Sequence, residues 1–112
     1  MTLETTTIKE TCIVLVPERL DGSTAPGMET DLRKILADAH QKNVIFDFSK
    51  TNYLASAGMR AMLQLSRDLM KAGGKVILVE LHPNVYKVFD MAGFTSIFTI
   101  CKSREEALQK IP

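Results

Sequence analysis

Ser56 is the residue best placed to do chemistry. It stands in Ala55-Ser56-Ala57-Gly58, directly after Val44-Ile45-Phe46-Asp47-Phe48-Ser49 and Tyr53-Leu54, and directly before a run of helix-forming residues. A serine where a strand gives way to a helix faces unpaired backbone N–H groups and the positive end of a helix dipole, a setting that suits an anion. Two readings follow for its hydroxyl. It caps the helix, a contact worth about 1 kcal/mol, or it accepts a phosphate that changes the surface without disturbing the fold.

Nucleophilic catalysis finds little support. Leu54 occupies the place where the G-x-S-x-G elbow of hydrolases needs its first glycine, and no acid or histidine stands at a telling offset from Ser56. Gly58 and Gly73-Gly74 do not compose a nucleotide-binding glycine motif. His40 falls at a helix end and His82 just after a strand, with no fixed offset to a cysteine or carboxylate that would suggest a zinc site, so no metal site and no cofactor is expected. Cys12 and Cys101 lie in apolar runs without a C-x-x-C partner and are expected to be inert, reduced thiols.

The elements that must hold Ser56 can be read from periodicity. Thr5 to Ile8 and Thr11 to Val16 are rich in β-branched residues and flank the polar pair Lys9-Glu10, which predicts an antiparallel pair. Val44 to Phe48 and Lys75 to Val79 are apolar runs of strand length, each preceded by a helical pattern, so they belong to βα units of a largely parallel sheet. Ser96 to Ile100 is the expected fifth strand.

Four helices follow. The first begins near Ser23-Thr24-Ala25-Pro26 and turns Met28, Leu32, Ile35, Leu36 and Ala39 inward. The second runs from about Ser56 to Ala72, with Met59, Met62, Leu63, Leu65, Leu69 and Met70 in an apolar band wider than one buried face requires, and stops at Gly73-Gly74. The third spans Pro83 to about Ala92, buries Val85, Val88, Phe89 and Ala92, and ends at Gly93. The last follows the capping box Ser103-Arg104-Glu105-Glu106 and carries Ala107, Leu108 and Ile111.

With 112 residues, 46% hydrophobic and 24% charged, the chain is sized for one domain over 1–112 with its own core. A net charge of +1 supplies no field that would draw nucleic acid or anionic lipid, so neither is an expected partner. The start lacks a basic-then-apolar leader and no apolar run approaches the length of a membrane span, which predicts a cytoplasmic protein.

These residues together resemble the STAS domain, and within it the bacterial anti-sigma factor antagonists. Asp47-Phe48-Ser49, Tyr53-Leu54 and Ala55-Ser56-Ala57-Gly58 stand where that family has a strand ending in aspartate, an aromatic residue and an Asp-Ser-Ser-Gly loop before a helix. Glu18-Arg19-Leu20-Asp21 stands where the family has its Gly-x-Leu-Asp segment, without the glycine, and Gly73-Gly74-Lys75 and Val88 to Phe94 resemble its later landmarks. Ala55 takes the place of the usual aspartate and Ala57 that of the second serine.

The resemblance implies an α/β sandwich, a mixed sheet of about five strands with four helices mainly on one face. It implies that Ser56 is the phosphoacceptor, and that Leu20, Asp21, Ser23, Ala55, Ser56, Ala57, Gly58 and Met59 form the partner surface. The implied partner is an anti-sigma factor that is also a serine kinase of the histidine-kinase-like ATPase type, with a serine phosphatase as a further partner. It is a non-enzymatic role. The alternative within the same family is a STAS subunit that is never phosphorylated and belongs to a transporter or a sensory complex.

Overall fold

A computed structural model describes residues 3–39 and 41–111, so the expectation for His40 lies outside the described residues. Alternation decides the layers. In β2 (Thr11–Leu15), β4 (Asn43–Asp47) and β6 (Val76–Val79), successive side chains enter opposite cores. Cys12, Val14, Val44, Phe46, Val76 and Leu78 point to the larger one, and Ile13, Ile45, Ile77 and Val79 to the smaller. Strands buried on both faces must be covered on both, which is why helices lie on each side.

The main sheet has the order β1-β2-β4-β6-β7, with β1 (Glu4–Ile8) and β7 (Thr99–Cys101) at its edges. β1 pairs antiparallel with β2 through the two-residue turn Lys9-Glu10, where Lys9 takes a left-handed φ of 54°. All other pairings in this sheet are parallel. A second, two-stranded parallel sheet joins β3 (Arg19–Leu20) to β5 (Tyr53–Leu54). The periodicity argument does not reveal these two short strands.

Three helices cover the larger core. α1 (Ala25–Ala39) buries Ala25, Met28, Leu32 and Leu36. α2 (Ser56–Lys71) buries Gly58, Met62, Leu65 and Ser66, and α3 (Pro83–Met91) buries Val85 and Phe89. Ile35, Leu63, Leu69 and Val88 are half-buried against the same core. Ala39 and Ala92, expected inside, are exposed because each sits at a helix end beyond the last turn that touches the sheet. Met70 is likewise exposed.

α4 (Arg104–Gln109) lies on the opposite face, where Ala107 and Ile111 close the smaller core. Ser103 caps it, accepting the Glu106 N–H at 3.2 Å. Arg104 pins it to the sheet by donating from Nε to Asp47 Oδ2 at 2.6 Å. Burial pushes the Asp47 carboxyl up, but the Ser49 backbone N–H at 2.8 Å and the Arg104 guanidinium outweigh it and hold the group below the ordinary carboxylate range.

The glycine pair after α2 ends it as the sequence predicts. Gly73 adopts φ 88° and donates to Met70 O, while Gly74 donates to Leu69 O at 2.9 Å, the bond pattern of a Schellman motif. The fifth strand starts three residues later than expected. Phe94–Ser96 form a 3₁₀ turn after Gly93, which brings Phe94 and Phe98 against Phe89, the latter pair edge to face at 5.8 Å. Both cysteines are free and buried, and burial raises their thiol pKa values, as expected for inert groups. No helix among the described residues is long and apolar enough to cross a membrane.

Candidate functional site

The Ser56 turn is held in place by the small sheet. Glu18 O accepts from Asn52 N at 2.9 Å and from Tyr53 N at 3.3 Å, and Leu20 O accepts from Ala55 N at 3.0 Å. These bonds fix the backbone of Ala55 in an extended conformation, φ −103° and ψ 166°, and so make Ala55 the N-cap of α2. Ser56 is the first helical residue, and no side-chain cap is made. Its hydroxyl is exposed. The capping reading of Ser56 therefore fails for a non-local reason: the pairing with β3 decides where the helix begins.

Gly58 explains how closely the two segments approach. A Cβ on Gly58 would lie 2.3 Å from Leu20 O, 2.8 Å from Leu20 C and 2.9 Å from Leu20 Cγ. Only a residue without a side chain lets the first turn of α2 rest on this backbone. On the neighbouring side, Gly22 faces Ala57, with 3.6 Å between a Cβ built on Gly22 and the Ala57 Cβ. The loop of Asp21 and the turn of Ser56 thus lie side by side, the juxtaposition that the family resemblance implies.

Leu20 itself is fully buried, so its side chain packs in the core and it adds to that surface only by placing the backbone. Gly58 is buried too. Met62 is core, and Met59 is half-buried, with part of its side chain packed inward and part left at the surface. Ser23 is exposed.

Asp21 does structural work that the sequence reading did not assign. Its Oδ1 accepts from Ser23 N at 2.9 Å, Ser23 Oγ at 2.7 Å and Thr24 N at 3.2 Å, closing the turn that starts α1. Thr24 Oγ1 returns the contact by accepting from Asp21 N and donating to Arg19 O. The Ser23 hydroxyl and N–H, with Thr24 and the Arg19 guanidinium at 3.5 Å, hold the Asp21 carboxyl below the ordinary range, so it is charged at neutral pH. The acid, and not a hydroxyl, is the anchor of this helix start.

Sequence reasoning also missed Arg19, whose guanidinium lies 4.1 Å from the centre of the Tyr53 ring. Tyr53 is 43% exposed, and the stacked pair borders the Ser56 turn through the pairing of β3 with β5. An exposed arginine and tyrosine on the two segments that carry the family landmarks were the available signal. His82 lies elsewhere, with Nε2 2.6 Å from Ser49 O, so that nitrogen is committed to a carbonyl and not to Ser56. The arrangement offers an exposed serine at the head of α2, beside the loop of Asp21.

The STAS domain family matches residues 2–107. A Bordetella bronchiseptica protein named "Putative anti-sigma factor antagonist BtrV" is 34% identical over 88 residues, 79% of this chain and 75% of that protein. The fold is shared with TM1081 of Thermotoga maritima, at a TM-score of 0.90 and 14% identity over 97% of this chain and 93% of that one. It is shared as well with the anti-sigma factor antagonist SpoIIAA in its unphosphorylated form, at 0.82 and 20% identity over 98% and 96%. The phosphorylated form of that Bacillus protein superposes at 0.74 with 20% identity over 99% and 100%.

Proposed function

The chain belongs to the STAS domain family, and on that premise we propose that it is an anti-sigma factor antagonist working by partner switching. Unphosphorylated, it binds an anti-sigma factor that is also a serine kinase of the histidine-kinase-like ATPase type, and so frees a sigma factor. Phosphorylation of Ser56 ends the binding, and a serine phosphatase restores it. The protein is a regulator without catalysis of its own, and its place of action is the cytoplasm.

One observation carries this reading. Ser56 presents an exposed hydroxyl at the first position of α2, beside the Asp21 loop. A phosphate there adds about −1.5 to −2 charge at a helix start, where the dipole favours it, so the fold tolerates the group while the surface gains negative charge and bulk. The 34% identity to BtrV and the existence of SpoIIAA in a phosphorylated form support the same assignment. Ala55 and Ala57 leave the acceptor with neutral neighbours on both sides.

The test is affinity capture from the native cell with the wild type beside Ser56→Asp, followed by incubation of the captured ATPase with ATP. The expected result is capture by the wild type, loss of capture by Ser56→Asp, and one phosphate on the peptide carrying Ser56. Stoichiometric phosphate on Ser49, Thr51 or Ser66 with Ser56 unmodified rejects the site. Capture of transporter subunits, equal for both forms, favours the permanent-subunit role.

A further inference from the structure

The outward face of α2 carries three cations that make no ion pair among the described residues. Ser56, Arg60, Gln64, Arg67 and Lys71 recur at helical spacing along one line, all exposed, on the side opposite Gly58, Met62 and Leu65. The helix has a single acidic residue, Asp68. Its carboxylate is held by Arg33 of α1 at 2.7 Å and by Gln64 at 3.1 Å. Lys71 contributes to its field, and Arg33 contributes more. Among the described residues, Arg60, Arg67 and Lys71 form no ion pair within 4.0 Å.

The face sets three cations in line within a chain whose net charge is only +1. Arg67 and Lys71 stand four residues apart, the spacing at which like charges on a helix repel, and the nearby Asp68, which attracts Lys71, is itself held by Arg33 at 2.7 Å. Surfaces built for solubility alone intersperse both signs.

We infer that Arg60, Arg67 and Lys71 are the electrostatic half of a docking surface whose other half is the Ser56 turn, and that its occupant is an acidic patch on the partner protein. The inference rests on the phosphoswitch reading above and extends it along the helix. Duplex nucleic acid is disfavoured because three cations neutralise few phosphates. A bilayer is disfavoured because the apolar face of α2 is already in the core and cannot enter an interface.

The position of Ser56 at the head of this line gives the modification a second effect. Arg60 follows it by four residues, with neutral Ala57, Gly58 and Met59 between. A phosphate on Ser56 therefore competes with the partner's carboxylates for Arg60 and lowers the field along which the partner approaches.

A photo-crosslinking residue placed at Gln64, which keeps all three cations, and separately at Pro26, which lines the shallow groove beside Ala57, reads the occupant in the native cell. The expected result is one and the same protein at both positions, joined at position 64 through a peptide rich in Asp and Glu. Adducts at 26 alone overturn this inference and leave the phosphoswitch standing. A lipid or nucleic-acid adduct at 64 overturns the acidic-protein occupant, and no adduct at either position defeats both readings.

Association of the protein so identified is then timed against ionic strength. Arg60→Glu/Arg67→Glu/Lys71→Glu should associate about tenfold more slowly at low salt, with the difference closing as salt rises and dissociation nearly unchanged. Arg67→Gln/Lys71→Gln, farther from Ser56, should show a smaller slowing in the same sense and guards against misfolding of the triple variant. Wild-type rates for both variants overturn the inference. A slowed rate together with unchanged binding of Ser56→Asp keeps the basic face and removes the phosphoswitch.

Discussion

Gly58→Ala tests the contact on which the site is built. The new methyl would sit 2.3 Å from Leu20 O and 2.8 Å from Leu20 C, and both are backbone atoms that cannot rotate away. Restoring an ordinary carbon–oxygen separation requires α2 and β3 to part by about 1 Å, an overpacking whose usual cost is about 1–3 kcal/mol. Alanine returns at most ~1 kcal/mol of helix propensity, and less in a first turn. The expected net loss is about 1–2 kcal/mol, or roughly 4–10 °C in Tm for a chain of this size. Gly22→Ala is the matched control, because its methyl would meet Ala57 Cβ at an ordinary 3.6 Å and should change stability by less than ~0.5 kcal/mol. Chemical denaturation of the three proteins decides the matter. A Gly58→Ala variant as stable as the wild type, or a Gly22→Ala variant equally damaged, would refute the close-approach argument.

Other outcomes follow from individual contacts. Ser56→Ala should unfold within ~0.5 kcal/mol of the wild type, since Ser56 makes no cap, and a loss near 2 kcal/mol would show that its hydroxyl is bonded. Ser103→Ala removes the acceptor for Glu106 N and should cost about 1 kcal/mol by urea titration; an unchanged midpoint contradicts the cap. Arg104→Gln strips a charged donor from buried Asp47 and should cost about 2 kcal/mol at neutral pH. Because the folded Asp47 pKa is depressed, this difference is fully present above the unfolded value of about 4 and is lost as pH falls through the lower folded value. A deficit in Arg104→Gln that persists unchanged at still lower pH would exclude Asp47 as the cause.

Much of this architecture was legible where one residue type decides the local outcome. Gly73 and Gly93 mark helix ends because their positive φ angles suit glycine, and Ser103 marks a helix start through its own side chain. The continuous apolar runs at Val44 and Val76 announce strands because both faces of each are buried. The small sheet was not legible, since two residues are too few to display a period and only Leu20 and Leu54 of its four are buried. The start of α2 near Ser56 was legible, but its cap was not: Ala55 is made the cap by a hydrogen bond to Leu20, and local preference would have chosen the serine. The placement of Asp21 opposite Ser56 came from the family resemblance, whereas its role in closing the α1 turn depends on bond geometry that spacing does not encode.

The pairing of β3 with β5 has a consequence for association. Arg19 aligns with Tyr53 and Leu20 with Leu54, so two stretches far apart in sequence are already fixed relative to each other in the free protein. A partner that docked across both would find these two strands already ordered, so that part of the entropic penalty of ordering an interface would be met during folding and not at encounter. Recognition there would proceed close to rigid-body docking, and a modification at Ser56 would act on a shape that is already in place.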